Sequence, residues 1–508
     1  MYLYTEKKRR QGFVSLASIQ QTPGAEDYNN LGGLFLEVWY NNSSKLFKDV
    51  KTLPEQKPKF VHLATWGCQM NDHDSEVMRA LLEQSGLVWT EEVEEADVVV
   101  LNTCSVRKSA EQKAMGFLGA LKHLKESRPG VVVAVGGCMT QNREIRDQLR
   151  KSAHVNIIFG ARSFHRLPSL ISRYNTTRAQ VVETDMEEQP PSGALPAHRD
   201  SPIKAYVTIM YGCNNFCSYC VVPYARGREK SRPLTEICEE VGGLADGGYL
   251  EVMLLGQNVN SYGKDLPGGV NFAALLEELD LMPGLARIHY MTSHPRDFSD
   301  ELITTIRQSR KVCEHFHLPL QSGSNSVLER MNRGYTREQY LQLVAKIRSA
   351  IPAASITTDL ILGFPGETEQ EFQETLDLVE QVRFDAIYVF LYSPRPGTAA
   401  AAMLDQISGE VKKQRFTRLT EAQNEISLEI NKALVGQDWE VLVEGKSKTN
   451  PERWSGRTRT GKIVVFKGEG DLTGKIVEVA IDCAQTWNLI ATLKNIRIKE
   501  ESLPLRRT

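Results

Sequence analysis

From Lys59 onward, hydrophobic positions come in short runs separated by stretches of helical period. Phe60–Thr65, Asp97–Asn102 and Val131–Val135 read as strands, and Asp74–Ser85 and Ala110–Lys125 between them as helices. Apolar strands alternating with helices predict a parallel sheet. Pro190, Pro191, Gly193 and Pro196 among polar residues make 176–198 a linker. A second alternation then carries strands at Ala205–Met210, Glu251–Leu255, Arg287–Met291, His315–Leu318, Ser355–Leu362 and Ala386–Leu391. That many strand–helix repeats predict a full or partial α/β barrel, with its site at the carboxyl ends of the strands. Beyond about Val435, short runs at Trp439–Val443, Arg457–Thr460, Lys462–Phe466, Lys475–Ala480 and Leu489–Leu493, set off by Gly turns, predict a small β-barrel.

The expected fold is therefore α/β. Residues 58–175 form an N-terminal parallel α/β sheet domain, 199–431 a partial, TIM-like α/β barrel, and 432–498 a small β-barrel. Residues 1–57 are polar and without sustained periodicity, and read as a flexible extension; 499–508 read as a tail.

Charge changes this picture in one place. The 508 residues hold 61 Lys and Arg against 63 Asp and Glu, so the whole chain has no nucleic-acid footprint. From 432 to 508, however, fourteen Lys and Arg face ten Asp and Glu, with Arg453, Arg457, Arg459 and Lys462 close together. These are candidate RNA contacts, although a merely solvated face accounts for the charge equally well. No apolar run approaches the ~20 residues that span a bilayer, and Gly12–Ile19 lacks the apolar core of a signal peptide. Acidic residues are sparse before Glu26, which a transit peptide would share, but a cytosolic tail is the preferred reading. A cytoplasmic protein with no membrane partner is expected.

Nine cysteines in a long chain without a secretory signal point to metal binding rather than disulfides. Cys68, Cys104 and Cys138 each lie just past one of the first three strands, where open parallel sheets build their sites. Widely spaced cysteines are otherwise often core residues. Cys213, Cys217 and Cys220 form a tighter group, Cys-x3-Cys-x2-Cys, directly after Ala205–Met210. Three thiolates at this spacing suit three irons of one iron–sulfur cluster. Zinc is the competing reading, but a structural zinc wants a fourth ligand, and the nearest, Cys238, falls inside a helix expected after Pro233. Cys238, Cys313 and Cys483 read as ordinary thiols, and His315 and His317 as barrel packing.

Cys-x3-Cys-x2-Cys is the spacing of the radical S-adenosylmethionine superfamily. The strings Trp66-Gly67-Cys68-Gln69-Met70-Asn71, Asn102-Thr103-Cys104-Ser105-Val106-Arg107, Gly136-Gly137-Cys138, Val222-Pro223-Tyr224-Ala225-Arg226-Gly227-Arg228-Glu229, His317-Leu318-Pro319-Leu320-Gln321-Ser322 and Tyr392-Ser393-Pro394-Arg395-Pro396-Gly397-Thr398 go further. From Lys59 to Ile498 the chain resembles the tRNA methylthiotransferases, and Cys104-Ser105-Val106-Arg107 with Gln257-Asn258-Val259-Asn260-Ser261-Tyr262 resemble the branch acting on isopentenyladenosine beside the anticodon. Ala225 stands where Thr is usual and Trp66 where Tyr is usual, and Gly256-Gln257-Asn258 replaces the superfamily's Gly-Gly-Glu. The resemblance implies a 4Fe–4S cluster on Cys213, Cys217 and Cys220, which cleaves S-adenosylmethionine to a radical. It implies an auxiliary 4Fe–4S cluster on Cys68, Cys104 and Cys138, whose sulfur takes a methyl from a second S-adenosylmethionine. Gln257 and Asn258 are implied cofactor contacts, and the terminal barrel an RNA-gripping TRAM domain. Implied partners are a tRNA anticodon stem-loop, a flavodoxin- or ferredoxin-like electron donor and a sulfur donor, with the chain a monomer. The alternatives are a methylthiotransferase for threonylcarbamoyladenosine and a catalytically inactive, cluster-bearing RNA-binding regulator.

Overall fold

The structure, a computed structural model, describes residues 59–185, 191, 193 and 195–497. The extension expected at 1–57 and the tail at 499–508 lie outside the described residues. Six strands form the N-terminal sheet: β1 (Lys59–Trp66), β2 (Leu87–Trp89), β3 (Val98–Thr103), β4 (Val132–Gly137), β5 (Ile157–Phe159) and β6 (Val181–Glu183). They run in the order β2-β1-β3-β4-β5-β6, all parallel. Every residue of β3 and β4 is buried, as expected of central parallel strands covered by helices on both faces. One apolar core lies on each face. The sheet runs past residue 175, because β6 pairs with β5 inside the span read as linker. Three residues are too few for a period-2 pattern to show.

The central domain contains β7 (Lys204–Thr208), the hairpin pair β8 (Met210–Tyr211) and β9 (Lys230–Ser231), then β10 (Glu251–Leu255), β11 (Arg287–Tyr290), β12 (His315–His317), β13 (Ser355–Leu362) and β14 (Ala386–Leu391). Two parallel sheets, β11-β10-β7 and β12-β13-β14, are joined by a parallel bridge between Ile288 and Val312. Six strands in the order β7-β10-β11-β12-β13-β14 make a partial barrel, open between β7 and β14. Its largest apolar core packs strand residues such as Val207, Val252, Ile288, Phe316 and Leu360 against the surrounding helices.

β15 (Asp438–Lys446), β16 (Trp454–Arg457), β17 (Ile463–Lys467), β18 (Ile476–Ala484) and β19 (Leu489–Arg497) close into a barrel in the order β15-β16-β17-β19-β18. Closure removes the sheet edges. This small barrel packs beneath the amino ends of the central strands: Leu442 joins Ile203 and Leu250, residues that precede β7 and β10. Among the described residues, no helix is long and apolar enough to cross a membrane.

Candidate active site: two cysteine triads at the carboxyl ends of the strands

The first triad is built by three β-strand ends. Cys68 follows β1 and caps the helix Gln69–Gln84, with its amide donating to Asn71 Oδ1 at 3.3 Å. Asn71 Nδ2 donates to Asn102 Oδ1 at 3.0 Å, and Asn102 Nδ2 returns a bond to Asn71 O at 2.8 Å. This buried amide pair locks the ends of β1 and β3, so Cys104 is held beside Cys68. Cys138 opens a 3-10 turn after β4. The residue before it must be glycine: Gly137 has φ +92°, and a Cβ there would lie 2.3 Å from Thr103 O.

The second triad sits on the loop after β8. Gly212, at φ +74°, lets the loop pass so close to Arg228 O that a Cβ would lie 2.1 Å from it. Cys213 N donates to Gly227 O at 3.0 Å, closing the loop at its base. Between the cysteines, Phe216 takes φ +46°, and Asn332 Nδ2 donates to its carbonyl at 3.1 Å. Cys217 Sγ accepts from Arg333 at 3.3 Å, and Arg333 is itself buried and bonded to Pro319 O.

Within each triad the thiols influence one another's protonation. Burial pushes the Cys138 thiol up to about 12, and the proximity of Cys104 and Cys68 adds to this. Cys104 is raised by burial and by Cys68. Burial lifts Cys213 to about 11 and Cys220 to about 12, and each is raised further by Cys217. Free buried thiols that repel one another as anions hold their protons until a cation replaces them. All six are free thiols. Among the described residues, no three His, Cys, Asp or Glu side chains form a set for a single metal ion. Thiol-only triads fit a cluster, in which each cysteine takes its own iron.

On the same rim, buried polar atoms without a partner among the described residues include Gln257 Oε1 after β10, Ser293 Oγ and His294 Nε2 after β11, and Gln321 Oε1 after β12. Thr292 and Gln321 also adopt left-handed backbone, at φ +62° and +74°. Unsatisfied polar groups and strained backbone collect where a polar ligand binds, so these residues fit a polar cofactor such as S-adenosylmethionine. The two residues expected to touch cofactor differ. Gln257 has a free acceptor, whereas Asn258 is spent on the protein, donating to Asp297 Oδ2 at 2.8 Å and accepting from His294 N at 3.0 Å.

The expected RNA contacts also divide. Arg459 turns inward to Glu314 on the central domain, Nε lying 3.0 Å from Oε2. Arg457 pairs with Glu444 at 3.1 Å, and Lys462 with Asp385 at 2.7 Å. Arg453 lies half-buried before β16. Sequence reasoning did not assign roles to Arg333, Ser293, His294, Gln321 or Arg226. Arg226 and Gln321 stand in quoted family strings, but no local pattern marks the other three.

Family models match at residues 207–379 (Radical SAM superfamily), 60–160 (Uncharacterized protein family UPF0004) and 432–494 (TRAM domain). Fold and site together thus define a radical S-adenosylmethionine enzyme with a TRAM domain. The tRNA-2-methylthio-N(6)-dimethylallyladenosine synthase of Moorella thermoacetica is 52% identical over 432 residues, covering 85% of this chain and 97% of the relative. That of Acetivibrio thermocellus is 50% identical over 444 residues, covering 87% and 92%. The chain belongs to the family of tRNA-2-methylthio-N(6)-dimethylallyladenosine synthases.

Proposed function

We propose that this protein is a tRNA methylthiotransferase that converts N6-isopentenyladenosine beside the anticodon to its 2-methylthio derivative, using two S-adenosylmethionine molecules and two 4Fe–4S clusters. The observation that carries the reading is the pair of largely buried cysteine triads, supplied by two domains and linked by the helix that ends at Arg226. Cys213, Cys217 and Cys220 would hold the cluster that works with S-adenosylmethionine, and Cys68, Cys104 and Cys138 the auxiliary one. Bound there, these groups supply one-electron chemistry and sulfur for a carbon whose C–H is too weak an acid for any side-chain base.

The chain's own residues do the rest. Arg333 donates to Cys217 and keeps that sulfur oriented in a buried setting. Gln257, Ser293, His294 and Gln321 offer polar atoms to the cofactor at the strand ends. An unstacked loop base is readily splayed out toward such a site. The small barrel supplies RNA grip. Electrons would come from a flavodoxin- or ferredoxin-like donor and sulfur from a separate donor, to a monomer in the cytoplasm.

The test is nucleoside mass spectrometry on tRNA incubated with reconstituted protein, using RNA lacking either the isopentenyl or the threonylcarbamoyl group. Product only where the isopentenyl group is present supports the reading. Product only where threonylcarbamoyl is present overturns it in favour of the sister reaction. Absence of cofactor cleavage in reduced protein would favour an inactive RNA-binding regulator.

A further inference from the structure

Arg226 belongs by sequence to the second triad, six residues past Cys220, yet its side chain serves the first. The short helix Val222–Arg226 packs on the turn Cys138–Gln141, and Ala225 touches Cys138. Arg226 is 3% exposed, and its guanidinium lies 2.8 Å from Asp74 Oδ2, itself 2% exposed. Asp74 sits on the helix that Cys68 caps. The peptide of Arg226 is pinned as well, its carbonyl accepting from Arg162 Nε at 2.8 Å. A buried cation so fixed lies between the turn that Cys138 opens and the helix that Cys68 caps, paired with one carboxylate.

We propose that Arg226 is the positioning and charge-balancing residue of the Cys68, Cys104 and Cys138 site, with Asp74 as its orienting partner. Even with a cluster's own positive core, three thiolate ligands and the Asp74 carboxylate leave net negative charge in a low-dielectric site, which a buried cation offsets. The Arg226 guanidinium supplies that cation and fixes the approach to Cys138. The loop that bears one triad therefore sets the electrostatics of the other. Positive charge beside a cluster favours its reduced form, so Arg226 raises the auxiliary potential.

This rests on the reading of Cys68, Cys104 and Cys138 as cluster ligands. The test uses the full chain with Cys213, Cys217 and Cys220 changed to Ala, so that only the auxiliary cluster can form. If that parent holds no iron, the ligand reading itself fails, whatever Arg226 does. If it holds iron, Arg226→Gln should speed chelator-driven iron loss by about ten- to a hundredfold and move the midpoint potential in the negative direction. Arg226→Lys should recover much of both. Loss of Arg226 also strands the buried Asp74, so the double variant Asp74→Asn, Arg226→Gln separates the roles. It should fold and still lose iron quickly. Iron retention and potential equal to the parent's in Arg226→Gln, or full recovery in the double variant, would overturn the proposal.

Discussion

Arg459 and Glu314 are 145 residues apart in sequence and meet in a forked ion pair, with Nε 3.0 Å from Oε2 and the terminal nitrogen 3.1 Å from Oε1. Their side chains are 17% and 12% exposed, so the pair is sheltered from solvent screening. It joins the small barrel to the start of β12. Arg287 repeats the device one strand over, bonding Glu440 at 2.9 Å and the carbonyl of Arg457 at 2.8 Å. Arg459→Ala should therefore destabilise the junction by about 1–3 kcal/mol, because it removes a sheltered, forked ion pair and the bond to the Val312 carbonyl. Differential scanning calorimetry would show a lowered transition for the small barrel. A pure RNA contact would instead leave the transition in place and weaken RNA binding alone.

A second pair gives the protein a pH dependence. His289 and Glu251 lie 3.5 Å apart on β11 and β10, both buried. Burial alone would push the imidazole down, but Cys313 and Glu251 outweigh it and raise His289 to about 9 from an ordinary 6.5. A raised folded-state value means stability fully present below pH 6.5 and lost as the pH climbs through about 9. The unfolding free energy should fall over that window by on the order of 1–3 kcal/mol. Denaturant melts at pH 6 and pH 9.5 check this, and His289→Gln should remove most of the difference.

The two triads should load independently. Reconstituted protein should carry about eight irons per chain, and about four after either triad is changed to Ala. Cofactor cleavage should vanish only with Cys213, Cys217 and Cys220. Sulfur insertion should vanish with either. Full product from the Cys68, Cys104, Cys138 variant would break the division of labour.

Gln257 and Asn258 are neighbours with opposite expected phenotypes. Gln257→Ala removes an acceptor that has no protein partner, so it should weaken S-adenosylmethionine binding and leave the melting temperature unchanged. Asn258→Ala strands Asp297 Oδ2, while the His294 amide keeps Asn260 Oδ1 as acceptor, at a cost of about 1–3 kcal/mol. Isothermal titration beside thermal melts separates the two.

The three-part architecture and the grouping of six cysteines into two triads were legible because they follow from local pattern. A parallel sheet places strand-end residues on one edge, so Cys68, Cys104 and Cys138 could be brought together without coordinates. β2 and β6, three residues each, were not visible, since so short a run has no period. Charge was the harder quantity. The four basic residues Arg453 to Lys462 look alike as a string, yet the fold turns Arg459 and Lys462 onto carboxylates of the central domain. Arg226 and Asp74, 152 residues apart, could not be paired by any neighbour rule.

The small barrel lies under the amino ends of the central strands, and both triads lie past their carboxyl ends. The central strands β7 and β10, five residues each, rise by ~3.3 Å per residue. An RNA held by one end of the molecule and worked on at the other must bridge a gap on the order of 17 Å. On the proposed reading the protein acts as a caliper, and the distance between its jaws limits which stem and loop lengths can place a base at the cysteines.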